Sequence, residues 1–352
     1  MKAFCYFLLA LRLTLPVQSQ QVTDSSLLTF DHIKLPTDTV ALGGIKREII
    51  YYHGSHFKVY PYNKQRVKAV AVANVIGYGA VMAGLYRTWY SKYPQTNFHF
   101  FNDNHEWQQV DKVGHAWSAY WGAQFSSALF RWSGVPRKRA AIYGAGMGIA
   151  YESVIEILDG FSKKWGFSLG DMAANTSGSL LFVGQEFAWG EQRIEFKFSS
   201  HRYAYPSADL QRRADQLYGA SIFERVLKDY NAQTYWLSAN IWSFKKESKF
   251  PKWLNVAVGY GADGLYGGFD NVQRDDDNNI VLNNNGQAAF DRRDIARTRQ
   301  FYLAPDIDLS KIMIRGKPLK IFRIFNGIKL KFPMPTLEIN SSGKLRMHAL
   351  YF

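Results

Sequence analysis

Three stretches of the chain each set two polar groups four residues apart within a run of small and apolar residues: Asp111 with His115, Glu152 with Glu156, and Asp171 with Asn175. Four residues is about one helical turn, so each pair leaves its helix on one face. Asp159 continues the middle stripe, and Lys112 adds a cation beside the first pair. Ionisable groups on an apolar helix face are costly unless they meet partners, which predicts that the three faces converge. Such a cluster has two uses. One is acid-base chemistry, with His115, Glu156 and Asp171 as candidate catalytic groups, because neighbouring carboxylates raise one another's pKa. The other is a structural network in which Asp111, Lys112, Glu152, Asp159 and Asn175 hold the bundle together, with Arg137, Arg139 and Lys163 as further partners for the acids. Ser168 ahead of Asp171 has capping-box spacing, which gives Asp171 a structural role as well.

Other chemistries lack their residues. There is no HExxH run and the single cysteine is Cys5, so no metal and no cofactor is expected. Asp275, Asp276, Asp277 and Asn279 lack the glycine and the terminal glutamate of a calcium loop. Gly144, Gly146 and Gly148 follow no strand, so they make no nucleotide fingerprint, and no nucleophile-elbow pattern occurs.

Four helices are expected to carry these groups, over about 63–90, 104–132, 137–159 and 168–187. Small residues recur at four-residue spacing within them, as in Gly144 and Gly148 or Ala174 and Gly178, which lets backbones approach closely. The uncharged stretch from Ala69 to Tyr86 has the length of a membrane span. Taken together, the Asp111-Lys112 pair with His115, the ESVIEILDG run from Glu152 to Gly160, and Ser168, Asp171, Asn175 and Gly178 resemble the VanZ-like superfamily, which includes the YfiM-type family of bacterial envelope proteins. The resemblance covers about 100–190. It implies a small helical, membrane-associated module and carries over no catalytic role.

Beyond Trp189 the period changes to two. Apolar Ile194, Phe196 and Phe198 alternate with Arg193, Glu195 and Lys197, and similar runs occur at 234–243, 254–262, 297–309 and 344–352. A polar helix is expected over 207–229 and a mobile Asp- and Asn-rich loop over 270–294. Leu319 to Phe332 reads either as a hairpin turning at Asn326-Gly327 or as a short helix ending at Gly327. The fold class is therefore α+β: a small-residue-rich helical bundle followed by an antiparallel sheet, or a small outer-membrane-type β-barrel, of six to eight strands. The expected domains are a signal peptide (1–20), a lead-in (21–62), the helical module (63–190) and a strand-rich domain (191–352).

Composition narrows the setting. Lys2 followed by the apolar run to Leu15 and a small-residue site near Ser19 reads as a secretory signal. With Cys5 inside that signal, neither lipid attachment at a processed cysteine nor a disulfide is expected in the mature chain. The formal charge is +14, and loss of Lys2 and Arg12 lowers it by two. On an exported chain this excess excludes nucleic acid and points to membrane lipid or a lipopolysaccharide-type anionic surface, with envelope proteins as further partners. Aromatic residues make up 16%, as expected where rings meet a membrane boundary. The aromatic end at Tyr351 and Phe352 favours the outer membrane, while Ala69 to Tyr86 leaves the inner membrane open. The expected function is a cell-envelope role in assembly, transport or maintenance. The alternative is an enzyme acting on a lipid or cell-wall substrate, for which the polar faces must line an open cavity rather than a sealed contact.

Overall fold

The structure is a computed structural model that describes residues 48–53, 56–88, 90, 93–308, 311–312 and 327–352. The signal peptide and most of the lead-in lie outside the described residues, as does the 319–326 part of the ambiguous run. The chain divides into two compact units, one of 1–92 with 129–137 and one of 93–128 with 138–352.

In the first unit a two-stranded hairpin, β1 (Glu48–His53) and β2 (His56–Pro61), leads into helix α1 (Lys64–Thr88). Asn63 opens that helix, its side-chain oxygen accepting from the Arg66 amide at 3.0 Å. Its own amide donates to the Ser133 carbonyl, and the Arg66 guanidinium lies over the Trp132 ring at 5.0 Å. Lys64–Gly84 is long and apolar enough to cross a membrane, by length and composition.

The second unit holds helices α2 (Val110–Trp132, its last turn shared with the first unit), α3 (Arg137–Gly160) and α4 (Leu169–Ala188). Glycines set how closely they pack. A methyl at Gly148 would lie 2.5 Å from the Ala119 carbonyl oxygen, one at Gly144 2.7 Å from Ser127 Cβ, and one at Gly178 2.7 Å from the Ala116 carbonyl carbon. Both α3 and α4 thus rest directly on the backbone of α2. Arg137–Gly160 also passes the length and composition test for a span, but Glu156, Gly144, Gly148 and Gly160 are buried against its neighbours, so we read it as a packed bundle helix.

Helix α2 starts later than the expected position near 104. Glu106–Gln109 forms a separate tight turn in which Trp107, Gln108 and Gln109 all have positive φ. Three successive left-handed residues are unfavourable and need support. The Trp107 amide supplies some by donating to the Gly268 carbonyl at 2.9 Å, and the Gln109 side chain by donating to the Asn104 carbonyl at 2.7 Å.

Six strands follow as a meander, each antiparallel to the next: β3 (Ile194–Ser200), β4 (Gln233–Asn240), β5 (Leu254–Asp263), β6 (Thr298–Ile307), β7 (Met334–Asn340) and β8 (Leu345–Tyr351). The expected helix over 207–229 is two, α5 (Ala208–Tyr218) and α6 (Ile222–Lys228), broken at Gly219 where φ is +83°. A short helix, α7 (Ile241–Phe244), follows β4. The 270–294 excursion is tied by bridges at Val272↔Asp291, Arg274↔Ile280 and Leu282↔Ala288, so it is an ordered arm where a mobile loop was expected.

The two faces of the sheet differ in polarity. One face carries Trp236, Gly259, Tyr302, Glu338 and Arg346 in register across five strands. It is strongly curled, since Tyr351 of β8 reaches Thr234 of β4 at 3.0 Å. On this concave side Lys197 and Asp306, both buried, pair at 2.7 Å, and Lys329 pairs with Glu195. The other face meets the helices at Phe196, Phe198, Tyr235 and Ala262, which join Val110, Tyr120 and Phe182 in the main core.

The α+β class holds, whereas the barrel alternative is corrected: the ladder runs from β3 to β8 and stays open. The outer edge of β3 is taken by 329–331, with Phe198 donating to the Lys329 carbonyl and accepting from the Lys331 amide, each at 2.9 Å. That bridge occupies the β3 edge at Phe198, on the side where closure against β8 would have to pair.

Candidate functional site

The polar stripes of α2, α3 and α4 meet at one locus. Ser168 caps α4, accepting from the Asp171 amide at 3.0 Å. The other half of a capping box is replaced: Asp171 turns its carboxylate to Lys112, and the Ser168 amide donates to Glu156 Oε2 at 3.2 Å. Lys112 Nζ stands 2.7 Å from Asp103, 2.8 Å from Asp171 and 3.7 Å from Asp111. His115 Nδ1 faces Asn175 Oδ1 at 3.2 Å, Glu152 at 3.6 Å and Glu156 at 3.7 Å, while its Nε2 lies 3.9 Å from Asp171. Asp159, half-buried one turn beyond Glu156, acts on that residue through its charge.

Three further groups complete the locus, none of them on the helical stripes. Asp103 accepts from Ser168 Oγ at 2.5 Å as well as from Lys112. Tyr230, on the turn before β4, donates to Asp111 at 2.7 Å. Glu106, in the left-handed turn, contributes by charge and is itself pushed up to about 7 by burial and by Asp111 and Asp103. None of the three shares a helical period with the stripes, so only an Asp or Glu beside an expected helix start could have hinted at two of them.

Electrostatics set what the cluster can do. Burial opposes a charge on His115, but Asp111, Asp171, Glu152 and Glu156 outweigh it and hold its pKa near 10. Burial raises Glu152 to about 7, Glu156 to about 8 and Asp171 to about 7, with His115 pulling each the other way. Near neutral pH the imidazole is therefore an imidazolium, which donates hydrogen bonds but cannot accept a proton. The carboxylates surrounding it share a small pool of protons. Asp111, His115 and Asp171 also offer ligand atoms within 4.8 Å of one another. Their donor set suits a divalent ion, but the Lys112 ammonium and the imidazolium already supply the positive charge at that spot.

Asn175 and Glu156 are at most 1% exposed, whereas the side chains of Lys112, Glu152, His115 and Asp111 keep between 13% and 21% of their surface. A separate polar concavity of about 260 Å³ lies on the curled face of the sheet, lined by residues that include His201, Asp263, Tyr302 and His348.

Residues 99–183 match the model of a family described as predicted periplasmic lipoprotein (DUF2279). No curated protein and no solved structure matches the chain. The resemblance to the VanZ-like superfamily and the YfiM-type family is thereby corrected, since the stretch that carries its motifs matches this other family and neither of those two. Acid-to-histidine and acid-to-amide spacings of four arise in any bundle with buried polar stripes, so they separate such families poorly. The match takes in the cluster helices and stops short of the sheet. Its description is that of an envelope family.

Proposed function

We propose that this chain is a cell-envelope protein seated on the outer membrane, where it acts in envelope assembly, transport or maintenance, and that its buried cluster locks the helical bundle rather than catalysing a reaction. The envelope setting is supported by the family match over the bundle. The observation that carries the membrane reading is the inverted polarity of the sheet. On its outer face Leu237, Val258, Leu303, Leu337 and Met347 stand in register across five strands, each between 38% and 72% exposed. Phe301, Ile339 and Leu345 form a second row beside them. A continuous apolar strip of this kind suits a surface made for lipid or a partner, and the charged residues packed on the opposite face support that reading. Since β8 has no partner on its outer edge among the described residues, and hydrocarbon does not tolerate an open edge, the sheet in this reading lies against the bilayer by its outer face and does not cross it. Antiparallel sheets with apolar outer faces are the build of outer-membrane proteins, which favours that membrane over the inner one.

The structural role of the cluster is supported by its pairing: Lys112 bridges Asp103 and Asp171, and Ser168 joins Asp103, Asp171 and Glu156. Membrane fractionation tests the whole reading. The wild-type chain should sediment with outer-membrane markers and resist alkaline extraction. Val258→Asp with Leu303→Asp should shift it to the soluble fraction while the bundle keeps its helical circular dichroism. A wild-type chain found soluble in the periplasm would overturn the membrane reading. Loss of an envelope phenotype in a stably folded His115→Asn variant would restore the enzyme alternative.

A further inference from the structure

One end of the sheet concentrates basic and aromatic side chains, and no part of the cluster or of the apolar strip accounts for them. The start of β3, the end of β4 and the start of β5 lie together there, as the pairs Ile194↔Ala239 and Asn240↔Asn255 show. Between β4 and β5 the chain runs Trp242, Ser243, Phe244, Lys245, Lys246, Glu247, Ser248, Lys249, Phe250, Pro251, Lys252, Trp253. Phe244, Phe250 and Trp253 are exposed in water, as is Trp189 at the end of α4. Charges interleave with the rings: Arg193 lies over Trp189 at 5.1 Å and Phe244 at 5.6 Å, and Lys252 over Trp242 at 4.8 Å. Glu191 takes up part of this charge, pairing with Arg193 at 3.1 Å and Lys246 at 3.7 Å; Glu247 lies on the rim as well, and Asp308, whose amide donates to the Trp253 carbonyl, pairs with a further cation, Lys311, at 3.3 Å. The opposite end of the sheet leads instead into the Asp- and Asn-rich arm at 270–294.

Exposed rings between lysines are disfavoured in water and suited to the boundary where acyl chains give way to headgroups. We propose that this rim docks on anionic phospholipid headgroups and so fixes the depth and direction in which the sheet meets the bilayer. The inference rests on the membrane reading of the apolar strip, with which the rim is continuous: Leu237 and Val256, Val258 belong to the two strands that the rim connects. Phe250 and Trp253 enter the boundary layer, while Lys245, Lys246, Lys249 and Lys252 reach phosphate groups beside them. Each lysine near an anionic surface is worth about a fivefold gain in partition, so the four together amount to roughly a several-hundred-fold preference for anionic bilayers at low salt.

The test is flotation of the full-length chain, diluted from detergent, with phosphatidylcholine vesicles lacking or containing phosphatidylglycerol, at low and high salt. Wild type should bind both and favour phosphatidylglycerol strongly, with the preference collapsing in salt. Replacing the four lysines with Gln should abolish that preference and leave binding to phosphatidylcholine intact, whereas Val258→Asp with Leu303→Asp should weaken binding to both. If the four-lysine variant keeps the wild-type preference, or if wild type does not distinguish the two vesicles, the rim inference is overturned and the strip reading stands. Rim-dependent binding to phosphatidylglycerol without binding to phosphatidylcholine would support the rim and overturn the strip. Binding to neither vesicle overturns both, leaving a protein partner for this surface.

Discussion

Replacing Glu156 with Gln tests the shared-proton view of the cluster most directly. Glu156 is enclosed, accepts from the Ser168 amide, and is raised from 4.5 to about 8 chiefly by burial. A raised carboxyl pKa in the folded state means that folding binds a proton, so its contribution is complete below about pH 4.5 and is lost as pH climbs through about 8. At about 1.36 kcal/mol per pH unit, the whole titration amounts to at most about 5 kcal/mol, most of it between about pH 5 and 8. Gln resembles the protonated acid, retains an oxygen for Ser168, and does not titrate. Glu156→Gln should therefore cost about 1 kcal/mol or less near pH 5 and become more stable than wild type near pH 8.5, so that the two stability curves cross. Glu156→Ala leaves a void and an amide without its acceptor, and should be destabilised by about 2–4 kcal/mol at both pH values. His115, raised from 6.5 to about 10, adds its own loss of stability from about pH 6.5 upward in both proteins, so the crossing is read from the difference between the two curves. Urea unfolding in detergent micelles, followed by tryptophan fluorescence across pH, reads all of this. If Glu156→Gln keeps the wild-type slope between about pH 5 and 8, the residue holds no trapped proton and the reasoning fails.

Two further outcomes follow from packing and charge. Gly178→Ala drives a methyl into the Ala116 backbone and should lower thermal stability by about 1–3 kcal/mol or more, whereas Gly146→Ala, with nothing within 4 Å, should raise it by up to about 1 kcal/mol; equal effects in thermal unfolding would refute the close approach of α2 and α4. Lys197→Met removes the cation beside Asp306, whose other partner is Ser238 at 2.6 Å, and should cost about 3–5 kcal/mol by the same assay at neutral pH. A neutral result there would show that water reaches the concave face.

The helical stripes were legible because a period of four survives any detail of packing. His115, Glu156, Asp171 and Asn175 could be placed on common faces without knowing which helix touches which. Asp103 and Glu106 were not legible, since they reach the cluster from irregular backbone whose left-handed turn at Trp107 has no sequence signature. Tyr230 is 119 residues from Asp111, and only the tertiary fold joins them. Strand periods were equally clear, but where β4 stops was not: Asn240 caps the next turn, accepting from Ser243 N at 2.9 Å, and ends the strand earlier than the apolar pattern suggests. A period of two also says which face is which without saying who sits at the edges. The choice between barrel and open sheet was therefore hidden until Lys329–Lys331 was seen beside β3.

The opposed faces of the sheet have a consequence for how the protein is made. Collapse in water would gather Leu303, Val258 and Phe301 inward and expel Lys197, Glu195 and Asp306, the reverse of their native arrangement. The core that the bundle shares with the sheet at Phe196, Phe198 and Tyr235 can form in an aqueous compartment, but on the membrane reading proposed above the outer rows of the meander reach their native setting only once an apolar medium is at hand. Biogenesis then has two stages with two solvents, and copies stalled between them would present unshielded strand surface to one another, the condition under which such chains aggregate.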